Sequence, residues 1–162
     1  MTAGFTKMFS AGNYNISPVR ILGLDLGRRR IGLAISDVTR TLARPLTTLT
    51  IARGEGDGAA LDRVLGEITR LAHEEDGLGG VVVGVPARLD GSPTGETARV
   101  AAFMDALRAR ISIPVAGEDE RLTSREAESR LALRERDWRK RKARLDSAAA
   151  AVILQDYLDR RV

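Results

Sequence analysis

Acidic side chains occupy three places in this sequence where their neighbours are apolar or basic. Asp25 interrupts the apolar run RILGLDLG, and Asp146 lies between a basic run and the alanine-rich stretch SAAAA. Asp119 and Glu120 end the apolar stretch IPVAGEDE. Carboxylates that converge repel one another, so a cluster of them is stable only with protons or divalent cations between them. Oxygen ligands select Mg²⁺ or Mn²⁺, and a pair of these ions suits hydrolysis of phosphodiester bonds.

The composition excludes several other kinds of site. The chain of 162 residues has no Cys, which excludes disulfides, thiolate nucleophiles and cysteine zinc sites. Its one histidine, His73, lies in the polar stretch LAHEEDG, which predicts a solvated position at the end of a surface helix. A serine–histidine–aspartate triad or a multi-histidine metal site would have to be built around that one residue.

Each acid also has a purely structural interpretation. Asp25 could accept hydrogen bonds from the backbone of the Gly-Arg turn that follows it. Asp146 could be the N-cap of the helix that contains SAAAA. The acidic triplet at 118–120 could be a solvated loop. Convergence of the acids in space is the observation that separates catalysis from these alternatives.

The pattern of apolar residues predicts one α/β domain. Short apolar runs indicate an antiparallel first hairpin and a third strand, and the continuous run VVVGV indicates a strand buried on both faces. Helical spacing follows the third strand, with Asp57 as a candidate N-cap, and Thr123 and Glu126 have the spacing of a capping box. The order β-β-β-α-β-α-β-α-α predicts a mixed five-stranded sheet whose later strands are parallel to a central first strand, with helices on both faces.

This topology brings the ends of neighbouring strands together and so brings the acids together. Side chains alternate along a strand, so only one of Asp119 and Glu120 should face the site. Residues 1–18 lack periodicity and are expected to form a flexible tail before the domain at 19–162. No apolar run is long enough to span a membrane or to form the apolar core of a secretion signal, so we expect a cytoplasmic protein.

Basic residues are concentrated just before Asp146. Seven of the eleven residues from Arg134 to Arg144 are basic, and the net charge of the chain is +4. A basic loop beside a carboxylate cluster suits a phosphodiesterase, because it attracts the nucleic-acid backbone. The alternative is a solvated loop with Trp138 against the core. The residues expected to bind nucleic acid are Arg28, Arg29, Arg121, Arg139, Lys140, Arg141 and Lys142.

Four segments together resemble the YqgF/RuvX family of pre-16S rRNA nucleases and Holliday-junction-resolvase-like proteins. They are ILGLDLGRRRIGLAISD, VVVGVPARLDGSPTGETARVAAFMDAL, VAGEDERLTSREAESRL and RKARLDSAAAAVILQDYLD. The resemblance implies an RNase H-like fold, with catalytic and metal-binding acids at Asp25, Asp119, Glu120 and Asp146. It also places Arg30 on the family's basic residue before Ile-Gly, which adds Arg30 to the nucleic-acid-binding set. The longer N-terminal tail and the sequence Ala87-Arg88-Leu89 depart from the family pattern.

The expected function is a Mg²⁺- or Mn²⁺-dependent nuclease that processes the 5′ end of pre-16S rRNA, with the small-subunit precursor as a partner. Two alternatives remain open: a Holliday-junction resolvase acting on branched DNA, and a non-catalytic nucleic-acid-binding factor in ribosome assembly. The sequence leaves open RNA or DNA as substrate, and a monomer or a homodimer. A resolvase would need two active sites on a dimer.

Overall fold

A computed structural model describes residues 19–88, 90–120 and 138–160, and in the last range it describes side chains from residue 144 onwards. Within these ranges the chain forms five strands and three helices. The strands are β1 (Arg20–Leu26), β2 (Arg30–Ser36), β3 (Ala43–Thr50), β4 (Leu78–Val85) and β5 (Val115–Asp119). The helices are α1 (Asp57–Ala72), α2 (Gly95–Arg110) and α3 (Trp138–Asp159).

The strands form one mixed sheet in the order β3-β2-β1-β4-β5. β1 pairs antiparallel with β2 and parallel with β4, while β5 adds parallel to β4 at the edge. The predicted α/β fold, with its antiparallel hairpin, central β1 and parallel later strands, is therefore confirmed. The carboxyl ends of β1, β4 and β5 lie side by side at the same end of the sheet, which is where a parallel sheet can collect polar side chains.

The sheet is covered on both faces. Leu22, Leu24 and Leu26 of β1 point to the larger core, where α1 and α2 contribute Val64 and Leu107 among others. The residues between them point the other way. On that second face Ile21, Ala34 and Val82 pack against α3, whose buried residues there are Ala150, Ile153, Leu154 and Leu158. Alternation along β1 thus places Asp25 on the α3 face.

Helix ends both confirm and correct the sequence-based predictions. His73 is the exposed C-cap of α1, as the sequence predicted. Thr94 caps α2 in a reciprocal pair with Thr97. The prediction that Asp57 is an N-cap is wrong: Gly56 precedes α1, and the carboxylate of Asp57 pairs instead with Arg99. The predicted capping box at Thr123 and Glu126 lies outside the described residues.

The structural interpretation of Asp146 as an N-cap is also wrong. α3 begins at Trp138, so Asp146 lies inside the helix, and the predicted basic loop is helical from residue 138 onwards. Lys, Arg and Ala are strong helix formers, and nothing between Trp138 and Asp146 interrupts the helix. In the described part of the chain, no helix is long and apolar enough to span a membrane.

Candidate active site

The site begins with Asp25 near the carboxyl end of the central strand. Leu24 of β1 pairs with Val83 of β4, so Asp25 and Gly84 are the next positions along these two strands. Gly84 in turn pairs with Glu118 of β5. The three strands therefore place Asp25, Gly84 and the acidic segment 118–120 side by side at the same end of the sheet.

Gly84 of β4 leaves the space through which Glu120, beside β5, reaches Asp25 of β1. A Cβ atom on Gly84 would lie 2.6 Å from Oε2 of Glu120 and 2.6 Å from Cδ1 of Ile153. Because Gly84 has no side chain, Glu120 reaches across β4 and forms a side-chain hydrogen bond with Asp25. Sequence reasoning missed this role, although a glycine inside the buried run VVVGV is the kind of signal that marks a close approach.

The electrostatics of this acidic pair are those of two carboxyl groups forced together. Burial raises the pKa of Asp25 to about 6; the hydrogen bond with Glu120 acts in the opposite direction, and the charge of Asp146 raises it further. Burial also raises the pKa of Glu120 to about 8, with a further contribution from the negative charge of Asp25. Near neutral pH the pair therefore retains one proton, which offsets the repulsion between the two acids.

Asp146 enters the site because α3 approaches β2 very closely. Gly32 of β2 pairs with Asp25, and a Cβ atom on Gly32 would clash with the backbone carbonyl oxygen of Asp146. A side chain at Gly32 would thus push α3 away from the sheet. The Asp146 carboxylate forms an ion pair with Arg30, whose Nε lies 2.9 Å from Oδ2. Asp146 is close enough to Asp25 for its charge to raise the pKa of Asp25.

The acidic triplet 118–120 divides between the two faces of the sheet. Glu118 and Glu120 face α3, and the buried Glu118 forms an ion pair with Arg160 at 2.8 Å. Asp119 has the alternate orientation, on the face where a Cβ of Gly117 would meet Met104 of α2. The structure therefore brings together Asp25, Glu120 and Asp146, and places Asp119 on the opposite face.

The turn between β1 and β2 is held by a network of ion pairs. Arg28 binds Glu96 through Nε at 2.9 Å and through Nη2 at 2.6 Å. Arg99 binds the other oxygen of Glu96 at 2.8 Å and the carbonyl of Leu26 at 3.0 Å. These two arginines lower the pKa of Glu96, with the hydrogen bond from Arg28 as the largest cause. Through Arg99 the network ties the start of this turn to α2, whereas Arg30 at the end of the turn binds Asp146.

The predicted nucleic-acid-binding residues are placed unevenly. Arg28 and Arg29 are exposed in the β1–β2 turn, although Arg28 is bound to Glu96. Arg30 starts β2 and binds Asp146. Arg139, Lys140, Arg141 and Lys142 lie in the first turns of α3, where side chains are not described, and Arg121 lies outside the described residues.

The structure tests whether these acids suit a divalent cation. All three offer carboxylate oxygens, which are the ligands that Mg²⁺ and Mn²⁺ prefer. In the described ranges no group of three acidic, histidine or cysteine side chains forms a ready-made metal site. A proton offsets the charge of Asp25 and Glu120, and Arg30 offsets the charge of Asp146. The carboxylate oxygens thus fit a hard cation, which would offset the negative charge that the proton and Arg30 offset in the metal-free protein.

Comparisons with known proteins identify relatives over most of the chain. A protein from Chloroflexus aggregans named "Putative pre-16S rRNA nuclease" is 45% identical over 141 residues, which cover 87% of this chain and 94% of the relative. A protein of the same name from Anaeromyxobacter dehalogenans strain 2CP-C is 46% identical over 147 residues, covering 88% and 98%. The Thermus thermophilus RuvC structure shares the fold, with a TM-score of 0.50, 15% identity, and coverage of 88% of this chain and 96% of RuvC.

The family comparison covers almost all of the described chain. The model of the RuvX family, described as Holliday junction resolvase, matches residues 19–160. This range includes every strand and helix of the structure, together with Asp25, Glu120 and Asp146. The chain therefore belongs to the RuvX family.

Proposed function

We propose that this protein is a nuclease that hydrolyses phosphodiester bonds with Mg²⁺ or Mn²⁺, in the maturation of the 5′ end of pre-16S rRNA. The observation that carries the proposal is the convergence of three acids from separate parts of the chain. Asp25 and Glu120 are held in contact despite their repulsion, and Asp146 is brought beside them by the close approach of α3 at Gly32. An arrangement that costs stability in the metal-free protein is typical of a functional site.

The roles of the residues follow from this geometry. Asp25 and Glu120 would hold a cation between them after losing their shared proton, and Asp146 would complete the oxygen ligands from α3. A bound cation supplies an activated water molecule and stabilises the leaving 3′-oxygen. Gly84 and Gly32 set the spacing of the acids. The basic first turns of α3 and Arg29 would attract the phosphate backbone toward this edge of the sheet.

The relatives' name supports pre-16S rRNA as the substrate. The description of the family model as Holliday junction resolvase, together with the RuvC-like fold, favours branched DNA as the second candidate. A third candidate is a nucleic-acid-binding assembly factor that cleaves nothing. One panel separates the three: the purified protein is incubated with the pre-16S rRNA 5′ region or with four-way DNA junctions, in Mg²⁺, Mn²⁺ or EDTA. We expect metal-dependent cleavage of the RNA.

Variants of the site test the catalytic assignment. Asp25→Asn, Glu120→Gln and Asp146→Asn should remain folded and lose cleavage, because each removes a charge that the cation requires. Asp119→Asn is the matched control, since it removes the same charge from the opposite face of the sheet, and it should retain most of the activity. Cleavage at the parent rate by Asp25→Asn would contradict the proposed site. Cleavage of neither substrate by the parent protein would favour the assembly factor.

The binding role of the basic helix has its own test. Replacing Arg139, Lys140, Arg141 and Lys142 with Ala should reduce the slope of log affinity against log salt by roughly three, since about 0.7 to 0.9 counterions are released per phosphate contact. Arg44 and Arg110 are exposed at the other end of the sheet, and replacing both with Ala is the control. An unchanged slope in the quadruple variant would show that the basic turns are only a solvated surface.

A further inference from the structure

We propose that Arg30 is a built-in counter-ion that holds Asp146 until a divalent cation displaces it, so that Arg30 sets the metal affinity of the site. This inference rests on the proposed function, because it concerns the same three acids. Displacement leaves the guanidinium of Arg30 at the entrance of the site, where a phosphate group of the substrate can take the place of Asp146 as its partner. Arg30 is therefore a residue that exchanges partners between the metal-free and the loaded protein.

The position of Arg30 is fixed by the backbone. Gly27 donates a hydrogen bond from its N–H to the carbonyl oxygen of Arg30 at 2.9 Å, which closes the β1–β2 turn. Arg30 is two residues before Gly32, so both lie on the α3 face of β2. Gly32 pairs with Asp25 and lies against the backbone of Asp146. The side chain of Arg30 consequently shares one face of the sheet with all three acids.

The two side chains of this ion pair are partly exposed, although Oδ2 of Asp146 is itself shielded from solvent. Nε of Arg30 lies 2.9 Å from Oδ2 of Asp146, and the two side chains are 31% and 26% exposed. Ion pairs with this degree of exposure are weak, and their loss changes an equilibrium by a factor of about two to five. A cation of double charge beside Asp25 and Glu120 attracts Asp146 more strongly than the single charge of Arg30 and repels the guanidinium. The long arginine side chain can then turn toward solvent without disturbing β2.

The neighbouring arginine provides a contrast. Arg28 lies in the same turn and carries the same charge, but it binds Glu96, which belongs to the network around Arg99 and not to the acidic cluster. Removing Arg28 therefore changes the general charge of this edge and leaves the Arg30–Asp146 pair in place. Comparing the two arginines separates direct competition for Asp146 from long-range electrostatics.

The experiment measures Mn²⁺ binding to the full chain by isothermal titration calorimetry, without nucleic acid. We expect Arg30→Gln to bind Mn²⁺ at least about fivefold more tightly than the parent, because both the competing partner and a repelling charge are gone. Arg28→Gln should stay within about twofold of the parent. In the Asp146→Asn background, Arg30→Gln should improve affinity by less than about twofold, because the competition for the carboxylate is absent and only the repelling charge is removed.

Equal or weaker Mn²⁺ binding by Arg30→Gln would overturn the inference and would show instead that Arg30 positions Asp146 for the metal. The proposed function is tested separately. A parent protein that binds Mn²⁺ but cleaves no nucleic acid would refute the proposed nuclease activity, while the competition between Arg30 and Mn²⁺ for Asp146 could still be measured. A parent protein that binds no Mn²⁺ contradicts both. Circular dichroism spectra of all variants identify any that have lost the fold.

Discussion

Replacing Glu120 with Gln should stabilise the metal-free protein, and the gain should increase as the pH rises. In the folded protein the pKa of Glu120 is raised from its ordinary value of 4.5 to about 8, mainly by burial and then by the charge of Asp25. A carboxyl group whose pKa is higher in the folded state contributes stability that is complete below the unfolded pKa and is lost as the pH rises through the folded pKa. The amide of the variant cannot ionise, yet it can still donate a hydrogen bond to Asp25.

The size of the effect follows from the interval between the two pKa values. Each pH unit in that interval carries at most about 1.4 kcal/mol of unfolding free energy. Glu120 is only partly buried, so solvent screening reduces the total, and we expect about 2 kcal/mol between pH 5 and pH 8.5. For a domain of this size, that corresponds to a rise in Tm of about 4 to 8 °C.

The assay is thermal unfolding followed by circular dichroism in EDTA, at about pH 5 and about pH 8.5. The Tm difference between Glu120→Gln and the parent should grow between the two pH values, while titrating groups that do not contact Glu120 cancel because both proteins share them. Asp119→Asn, which removes a neighbouring charge from the other face, should show less than half of this growth. A Tm difference that is the same at both pH values, or a variant less stable than the parent at the higher pH, would refute the argument.

Two further predictions concern residues that shape the fold around the site. Gly32→Ala should destabilise the protein by about 3 kcal/mol in urea unfolding, because the new methyl group collides with the backbone of α3; Gly66→Ala, in open space on α1, should instead stabilise by about 0.5 to 1 kcal/mol. A tolerated alanine at Gly32 would mean that α3 can move away from β2. Arg20→Met should cost about 2 to 3 kcal/mol in the same assay, because the buried guanidinium donates hydrogen bonds to the carbonyls of Gly77 and Leu71. A loss below about 0.5 kcal/mol would show that water replaces those bonds.

The sheet could be predicted from sequence because each strand carries its own signal. The run VVVGV is apolar at successive positions, as a strand covered by helices on both faces must be, and the first hairpin has its turn marked by Gly27. The central position of β1 followed from the order of elements. The start of α3 could not be predicted in this way, because the density of charge before Asp146 indicated a solvated loop, whereas the same Lys and Arg residues are good helix formers.

The acids of the site were identifiable by type, but their relationships were not. Alternation indicated that one of Asp119 and Glu120 faces the site, and the choice of Glu120 depends on the gap left by Gly84 on a strand that is distant in sequence. The Arg30–Asp146 ion pair likewise depends on how closely α3 approaches β2 at Gly32. Contacts of this kind are set by the packing of whole elements, which no local pattern of residues records.

The position of α3 in the chain has a consequence for how the protein is made. Synthesis proceeds from the amino terminus, so β1 and its Asp25 exist long before α3 and its Asp146. Until α3 docks, the sheet exposes an apolar face that contains Ile21, Ala34 and Val82. Such a surface is prone to aggregate or to bind a chaperone. The same docking event that hides this face delivers the third acid. A partly synthesised chain therefore cannot assemble the complete acidic site, and any activity that depends on all three acids begins only once α3 has folded.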